Sequence, residues 1–467
     1  MSFFTKAVSI FRLFKQALKG EEQSYTSGSI DKAIFMLSIP MILEMSMESL
    51  FAVVDAFYVS RLGVDALATV SLTESVLTLV YSLAIGLSMG ATAMVARRVG
   101  EGDIPAAAKA GVQAIYLAIG ISIAISIVGL FFSENILALM GASESVIASG
   151  SGYTRWMLGG NITVMLIFLI NAIFRGAGDA SLAMRVLILS NALNIILDPI
   201  FIFGFGPIPA FGVEGAAIAT TIGRGIGVAY QVSHLVYGKG LIKIHRQNLP
   251  IDFGLIGRLI KVSAGGTGQF IIASASWIFL VRIVSTFGSE ALAGYTIAIR
   301  VIVFAILPAW GMANAAATLV GQNLGAGQPE RAEQSVWRTG FFNMLFMAFI
   351  TVTFMTLAKP IVELFTTESV VLANATQCLQ IVAIGYIFYA YGMVVAQSFN
   401  GAGDTRTPTI LNFFAFWMFQ IPLAYVLAII LNMGPKGVYV AIVVAESALA
   451  VVGILIFRRG KWKTVKI

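Results

Sequence analysis

The sequence predicts an all-α membrane protein whose twelve transmembrane helices form two parallel six-helix repeats. Apolar residues make up 58% of its 467 residues and charged residues only 11%, against roughly 25% charged in soluble domains. The mean hydropathy is +0.89, and long apolar runs follow one another along the chain. In lipid only helices or a closed barrel satisfy the backbone, and continuous runs without strict alternation favour helices.

An internal duplication predicts the two repeats. The segment FRGAGDA (174–180) returns as FNGAGDT (399–405), almost half the chain length later. The same spacing, called here the repeat interval, pairs VARRVGEGD (95–103) with VGQNLGAGQ (320–328). This interval far exceeds the period of about 20–50 residues found in solenoids, so each repeat is a whole bundle. Six helices is an even number, so both copies enter the membrane from the same side.

The predicted spans divide the chain into two lobes. They cover approximately 33–60, 67–96, 106–132, 146–173, 182–203, 213–237, 255–285, 291–320, 336–358, 370–398, 409–431 and 435–457. The resulting organisation is an amphipathic cytoplasmic segment (1–32), a first lobe (33–237), a cytoplasmic linker (238–254), a second lobe (255–457) and a basic tail (458–467). In the first segment, Phe4, Ala7, Phe11, Phe14 and Leu18 recur at helical spacing among lysines, which is typical of a helix lying on the inner leaflet.

The distribution of Lys and Arg predicts the orientation. With the N-terminus inside, the cytoplasmic segments hold 23 of the 30 basic residues and the outer loops hold only three. Because positive charge accumulates on the cytoplasmic side, we expect a multi-pass protein of the cell membrane with both termini cytoplasmic. The net charge of +7 is then an orientation signal, and we expect no nucleic-acid partner.

Few residues are available for catalysis or for a metal cluster. The chain has one cysteine, Cys378, and two histidines, His234 and His245. An integral-membrane enzyme or receptor would need a nucleophile–base set or a metal cluster facing water. We therefore expect no enzyme activity and no cofactor other than a coupling ion.

The repeated GAGD segments are predicted to be structural turns. Two glycines allow positive φ, and the aspartate can cap the next helix. A phosphate-binding loop would need a preceding strand, whereas a helix precedes here.

Six acidic residues lie away from the ends of the predicted spans: Glu44, Glu48, Asp55, Glu74, Asp198 and Glu446. A charge at mid-membrane costs roughly 2.5–3.5 kcal/mol on insertion scales, so such residues face a protein interior or a watery cavity. The first three fall within about 40° of one another around helix 1, with Phe51 between them. On helix 5, Asn191, Asn194 and Asp198 also share a face.

Asp55 and Asp198 are the best candidates for a cation site. They lie at similar depth on helices that run in opposite directions, where two carboxylates could share a proton or hold Na⁺ with amide oxygens as further ligands. The alternative is that each acid pairs with a buried arginine such as Arg155 or Arg224. One repeat interval after Asp55 the residue is Leu280, so the acidic face belongs to the first repeat. Glu446, whose counterpart is Arg224, fits either a salt bridge or a functional role.

The chain resembles the multidrug and toxic compound extrusion (MATE) family over nearly all of residues 30–457. The segments that carry the resemblance are VVDAFYVSRLG in helix 1, ARRVGEGD and GQNLGAGQ after helices 2 and 8, and the paired FRGAGD and FNGAGD. The resemblance implies two six-helix lobes forming a V around a central cleft. It also implies export of organic compounds driven by H⁺ or Na⁺.

The pattern is similar to that of the DinF-like branch, which keeps its cation site in the first lobe. The implied cation-binding residues are Asp55, Asn194, Asp198, Thr220 and Tyr153, with Asp55 and Asp198 as metal ligands if the ion is Na⁺. The implied substrate-binding residues are Glu48, Phe51, Asn171 and Asn191, with Phe51 at the place of a tyrosine. The NorM-like branch uses acids on helices 7 and 10, where this sequence has Ala273 and Tyr389.

Together with the acidic face of the first repeat, the resemblance implies a monomeric secondary antiporter that exports cationic, amphipathic organic compounds in exchange for H⁺ or Na⁺. Its partners would be small-molecule substrates and the lipid bilayer. The alternative is a flippase for lipid-linked saccharides from the same superfamily. Flippases of that kind commonly carry a cationic cleft, whereas this chain has acids there.

Overall fold

The structure is a computed structural model that describes residues 12–20, 25–238 and 240–467. The predicted amphipathic segment falls partly outside these residues, so its first half, with Phe4 and Ala7, stays a prediction. Residues 12–19 are helical.

The described chain is a bundle of long helices, numbered here α1 to α12. Their bounds are α1 Ile30–Ser60, α2 Val64–Gly100, α3 Ile104–Leu139, α4 Glu144–Ala177, α5 Ala180–Phe203, α6 Val213–Tyr237, α7 Phe253–Ser285, α8 Ser289–Gly325, α9 Pro329–Glu363, α10 Ser369–Ala383 with Tyr386–Ala402, α11 Arg406–Ile430 and α12 Pro435–Arg458. Side chains that accept from backbone N–H groups cap several of them, namely Ser29, Asp103, Ser143, Asp179 and Asp252.

Twelve helices were predicted to span the membrane. In the described chain, ten of these helices are each long and apolar enough to cross a membrane on their own. The bent pair that forms α10 makes an eleventh span if it is counted as one. The remaining helix, α6, is 25 residues long but carries buried Arg224 and Gln231. These polar side chains lower its hydropathy, so α6 depends on the neighbouring helices for its place in the bundle.

The backbone repeats with the interval of the sequence. Gly63 and Gly288, one repeat interval apart, adopt φ values of 101° and 103°. The break within α4 comes at Gly160, and the 60° bend within α10 lies beside its counterpart Gly385. The two large hydrophobic clusters follow the halves: one is built mainly from α2–α6, the other from α7–α12.

The two GAGD segments are structural turns, as predicted. Gly178 and Gly403 adopt left-handed conformations, with φ of 93° and 87°. Asp179 Oδ1 accepts a hydrogen bond from the N–H of Leu182 at 3.1 Å. Asp404 Oδ1 accepts from the N–H of Thr407 at the same distance. Each turn therefore ends one helix and caps the next.

The linker between the halves docks on α3. Lys109 Nζ lies 2.7 Å from Asp252 Oδ2, and Gln113 donates to the carbonyl of Pro250 at 3.0 Å. The hydrogen bond from Lys109 lowers the pKa of the Asp252 carboxyl. The linker is thus fixed to the first lobe just before α7 begins.

The two lobes pack closely at the end of the bundle where residues 25–28 and 465–467 lie, called here the termini side. Gly86 of α2 lies against α7, where a methyl group in its place would collide with Thr267. Gly311 of α8 lies against α1, where a methyl group would collide with the carbonyl group of Met41. Such contacts bring the helix backbones together and leave no room for a larger side chain.

Segments near both ends of the described chain form hydrogen bonds that hold the lobes together on this side; these segments are called here the terminal straps. Arg97 of α2 donates to the carbonyls of Ala402 and Val465 at 3.3 and 3.2 Å. Arg331 of α9 donates to carbonyls in the segment 25–28. Among the described residues, the hydrogen bonds that join the two lobes all lie on the termini side. On the opposite side, Glu74 of α2 and Arg300 of α8 interact electrostatically across the lobes.

Candidate functional site

The acid nearest the termini side, Glu44, is held in an ion pair. Its side chain is 1% exposed and lies 2.5 Å from Arg175 Nη1 of α4. Asn171 donates to the same carboxylate at 3.1 Å, and Gln231 of α6 donates to Asn171 at 2.7 Å. The network ties α1, α4 and α6 together. Arg175, counted among the cytoplasmic residues in the sequence, is instead buried in the bundle.

The second acid, Glu48, pairs with Arg224 of α6. The Nη2 atom of Arg224 lies 3.2 Å from Glu48 Oε1, and its Nη1 atom donates to the Tyr81 hydroxyl at 3.1 Å. The guanidinium also lies over the ring of Phe51, 5.0 Å from its centroid, a cation–π contact. Arg224 therefore organises the polar interior of the first lobe.

The predicted cation-site residues of α5 and α6 lie together. The side-chain amide of Asn194 donates to Asp198 Oδ1 at 3.1 Å and to Thr220 Oγ1 at 3.2 Å. Asp198 is fully buried, and Asn194 and Thr220 are nearly so. Two oxygens of the group, Asp198 Oδ2 and Asn194 Oδ1, are shielded from solvent without a hydrogen-bond partner. A buried oxygen without a hydrogen-bond partner destabilises the fold unless it binds a proton, an ion or a water molecule.

Asp55 faces the same region. It is 9% exposed, and none of the hydrogen bonds or ion pairs between described residues includes it. Its carboxylate interacts electrostatically with those of Asp198 and Glu74 and with Arg224. Tyr153 of α4 is buried beside it and interacts with Asp55 as well. The structure thus brings the five predicted cation-site residues into one region of the first lobe.

Charge balance separates the four acids of α1 and α5 that lie inside the predicted spans. Glu44 and Glu48 each have an arginine partner. Asp55 and Asp198 have none within 4 Å among the described residues. The other suggested partner, Arg155, pairs with Glu134 in an exposed bridge of 3.7 Å. Two buried carboxylates therefore remain uncompensated, which is unfavourable in the membrane interior.

The predicted substrate residues differ in accessibility. Glu48 and Phe51 are partly exposed, so they can meet a ligand. Asn171 and Asn191 are almost fully buried, and the Asn191 amide donates to the carbonyl of Met47 at 2.9 Å. Their amides already serve the packing of the lobe, so ligand contact by either one would require rearrangement. Their assignment stays a prediction.

The donor set fits a single cation held by carboxylate and neutral oxygens. Among the described residues, no group of three or more His, Cys, Asp or Glu side chains is placed to hold a metal ion. Any Na⁺ would need Asp55, Asp198 and the oxygens of Asn194 and Thr220. The free oxygens of Asp198 and Asn194 fit that role, and they fit a proton equally well.

The second lobe carries a neutral version of the Glu44–Arg175 contact. The counterparts one repeat interval later are Gln269 and Asn400, whose side chains exchange hydrogen bonds of 2.9 and 3.2 Å. The geometry of the contact is thus kept while the charges are absent. At this contact, the charged version belongs to the first repeat alone.

Sequence reasoning missed two members of the first-lobe network. Arg175 was read as part of a cytoplasmic turn because it directly precedes the GAGD segment. Tyr81 was not considered, although it lies on the buried face of α2 and binds Arg224. A useful signal was available for Arg175 alone: its counterpart Asn400 is polar at the same helical position.

A cavity of about 620 Å³ lies on the termini side, lined in part by Asp179, Arg185 and His234. None of the predicted site residues lines it. The cavity therefore has no direct connection with the acidic interior of the first lobe.

The fold and the polar interior define a class of protein: a membrane transporter with two homologous lobes and a pair of buried acids without arginine partners in the first. The family model MatE matches residues 40–200 and 267–426, one match in each repeat. The chain therefore belongs to the MatE family, the multidrug and toxic compound extrusion transporters.

Relatives and solved structures resemble the chain over nearly its whole length. A Thermotoga maritima protein named probable multidrug resistance protein NorM is 25% identical over 453 residues, 97% of both chains. A crystal structure of a MATE protein in complex with MaL6 superposes with a TM-score of 0.89 at 28% identity and covers 95% of this chain and 99% of its own. A Pyrococcus furiosus transporter of the MOP superfamily gives 0.88 at 28% identity, with 95% and 98% covered.

Proposed function

We propose that this protein is a secondary antiporter that exports cationic, amphipathic organic compounds in exchange for H⁺ or Na⁺ bound in the first lobe. The observation that carries the proposal is the pair Asp55 and Asp198. Both are buried acids without a cation partner in the described chain, and Asp198 has an orphaned oxygen beside that of Asn194. Two nearby ionised carboxylates repel each other. Binding of a cation relieves this repulsion, so this region favours cation binding.

The same acids give a way to couple the ion to the substrate. When the site is empty of cations, its negative charge attracts a cationic substrate into the lobe. Binding of H⁺ or Na⁺ neutralises the site, and the substrate loses that attraction. Ion and substrate then weaken each other's binding by equal factors, as linkage requires.

The closed termini side fits the releasing stage of this cycle. With the lobes joined at that side, which we expect to be cytoplasmic, the cleft between them opens outward. In this state the site takes up the external cation and gives up the substrate. Opening toward the cytoplasm would require the glycine contacts and the terminal straps to separate.

The flippase alternative has less support. A cleft for a lipid-linked saccharide would be expected to carry cations, whereas the first lobe holds an excess of carboxylates. The Thermotoga maritima relative, moreover, is named for multidrug resistance.

The test is ion-driven efflux from proteoliposomes. Purified protein would be reconstituted and the vesicles loaded with ethidium, an aromatic organic cation. Efflux would be followed with an imposed proton gradient, with a Na⁺ gradient, and with neither. We expect one of the two gradients to accelerate efflux well above the rate without a gradient. Equal rates in all three conditions would overturn the proposal.

A further inference from the structure

The predicted membrane spans of the second lobe contain one acid, Glu446, and the transport proposal does not use it. Glu446 lies near the middle of α12, and its Oε2 atom is shielded from solvent without a hydrogen-bond partner. No ion pair between described residues includes it. A salt bridge, one of the two roles open from the sequence, is therefore absent among the described residues.

The surroundings of Glu446 are aromatic hydroxyls. Tyr389 of α10 interacts electrostatically with its carboxylate, and Tyr386 lies one turn before Tyr389. The helices α7 and α11 also pack against α12. Their basic residues form no ion pair with Glu446; these are Arg258, Lys261, Arg282 and Arg406.

The Tyr386 hydroxyl and two further hydroxyls form a group toward the end of α12 that lies away from the termini. Tyr295 of α8 and Tyr439 of α12 stack with centroids 6.1 Å apart and planes 4° from parallel. Tyr295, Tyr386 and Tyr439 all interact electrostatically with the thiol of Cys378. All three tyrosine hydroxyls are buried and have no hydrogen-bond partner in the described chain. We call Tyr295, Tyr386 and Tyr439 the tyrosine cluster.

The tyrosine cluster and Glu446 are related by the helical spacing of α12 and α10. Tyr439 and Glu446 are seven residues apart, so they project from α12 within about 20° of each other, roughly 10 Å apart along the axis. Tyr386 and Tyr389 are neighbours on one face of α10. The tyrosine cluster therefore lies farther from the termini than Glu446 on the same side of α12, and unpartnered hydroxyls of this kind bind water.

The groups around Glu446 are better suited to bind a proton than a metal cation. A hard metal cation takes several oxygen ligands at once, and only one carboxylate is present among neutral hydroxyls. A lone ionised carboxylate inside the membrane is unfavourable, and a proton neutralises it without further ligands. We propose that Glu446 is a proton-binding site of the second lobe, reached through the hydroxyls of Tyr389 and the tyrosine cluster.

This site differs from the first-lobe site in its ligand set. In the second repeat Glu446 occupies the place of Arg224, the residue that pairs with Glu48 in the first. The proposal does not rest on transport, because it concerns only the protonation of one carboxyl in the folded protein. It holds whether the coupling ion of the first lobe is H⁺ or Na⁺.

Infrared difference spectroscopy of the purified protein in detergent tests it. We expect the wild type at neutral pH to show the carbonyl stretch of a protonated carboxylic acid, which shifts in heavy water. Glu446→Gln should lose intensity equal to one carboxyl, both alone and in the Asp55→Asn background. In Tyr389→Phe the band should shift in frequency, because the carboxyl loses its hydroxyl neighbour.

Several outcomes decide the matter. An unchanged band in a folded Glu446→Gln protein would overturn the proposal. If that variant does not fold, Glu446→Asp replaces it, and the band should persist at a shifted frequency; an unshifted band would contradict the assignment. Failure of ion-driven ethidium efflux would leave this band in place, so the two proposals fail separately.

Discussion

Glu44 and Arg175 form a buried ion pair at positions whose counterparts in the second repeat, Gln269 and Asn400, form a neutral amide pair. The protein therefore contains a charged pair and a neutral pair at equivalent helix contacts. A buried ion pair and its neutral replacement are often similar in stability, whereas removing one partner costs about 3–5 kcal/mol.

This comparison predicts the effect of exchanging the pair. Glu44→Gln alone leaves Arg175 without its carboxylate and should lower the thermal unfolding midpoint in detergent. The double variant Glu44→Gln with Arg175→Asn copies the second repeat and should recover most of the loss. If the unfolding midpoint of the double variant falls by the sum of the decreases in the two single variants, the charged and neutral contacts are not equivalent.

The GAGD turns should act on folding and leave ion binding intact. Asp179→Ala and Asp404→Ala each remove a helix cap and should cost about 1 kcal/mol of stability. Asp179→Asn is the matched control, because asparagine caps a helix as well as aspartate does. Unfolding by heat measures the stability, and cation-induced changes in tryptophan fluorescence measure ion binding. A stable Asp179→Ala protein that has selectively lost ion binding would refute the structural role.

The terminal straps should control access to the termini side. Arg97→Gln removes the hydrogen bonds to Ala402 and Val465, together about 1–3 kcal/mol, so the open population should rise on the order of tenfold. The reporter is Ser263→Cys, which lies at the contact between α7 and Gly90 of α2. Its rate of reaction with a thiol reagent should rise with Arg97→Gln.

The control for the straps is Arg155→Gln, which breaks an exposed ion pair within the first lobe. It should leave the reporter's rate unchanged. Equal reactivity in the Arg97 variant and the parent would mean that the straps do not hold the lobes together.

The membrane orientation is tested by labelling from outside. Cys378 is buried, so its replacement by alanine provides a background without cysteine. On that background Ser145→Cys, between α3 and α4, should react with an impermeant thiol reagent on intact cells. Arg246→Cys in the linker should react only after permeabilisation. Labelling of both from the same side would contradict the predicted topology.

The sequence was sufficient for the helices, the repeat and the turns, because each depends on local pattern. Apolar runs, the repeat interval and paired glycines such as Gly178 and Gly403 report on the backbone directly. The least apolar span, α6, was also identified, although Arg224 lowers its hydropathy.

Partners across the bundle could not be read from the sequence. Helical spacing placed Glu44, Glu48 and Asp55 on one face, but each meets a different helix, and only packing decides which acid finds an arginine. Arg175 lies beside a turn in sequence and yet points into the lobe. The separation of paired from unpaired acids therefore emerged only from the three-dimensional arrangement.

The central claim is that Asp55 and Asp198 couple the ion to export. Asparagine at either position keeps the size of the side chain but can neither bind a proton nor carry the charge that attracts a cation. Folding of each variant would be checked by size-exclusion chromatography and thermal unfolding. Glu134→Gln, in an exposed ion pair of the same lobe, is the matched control.

The most direct measurement is gradient-driven ethidium efflux from proteoliposomes that contain each variant. We expect Asp55→Asn and Asp198→Asn each to reduce efflux to the rate seen without a gradient. Glu134→Gln should match the wild type, and Glu446→Gln should have a smaller effect than either aspartate variant. Wild-type efflux in both aspartate variants together with an inactive Glu446→Gln protein would contradict the account and place the coupling in the second lobe.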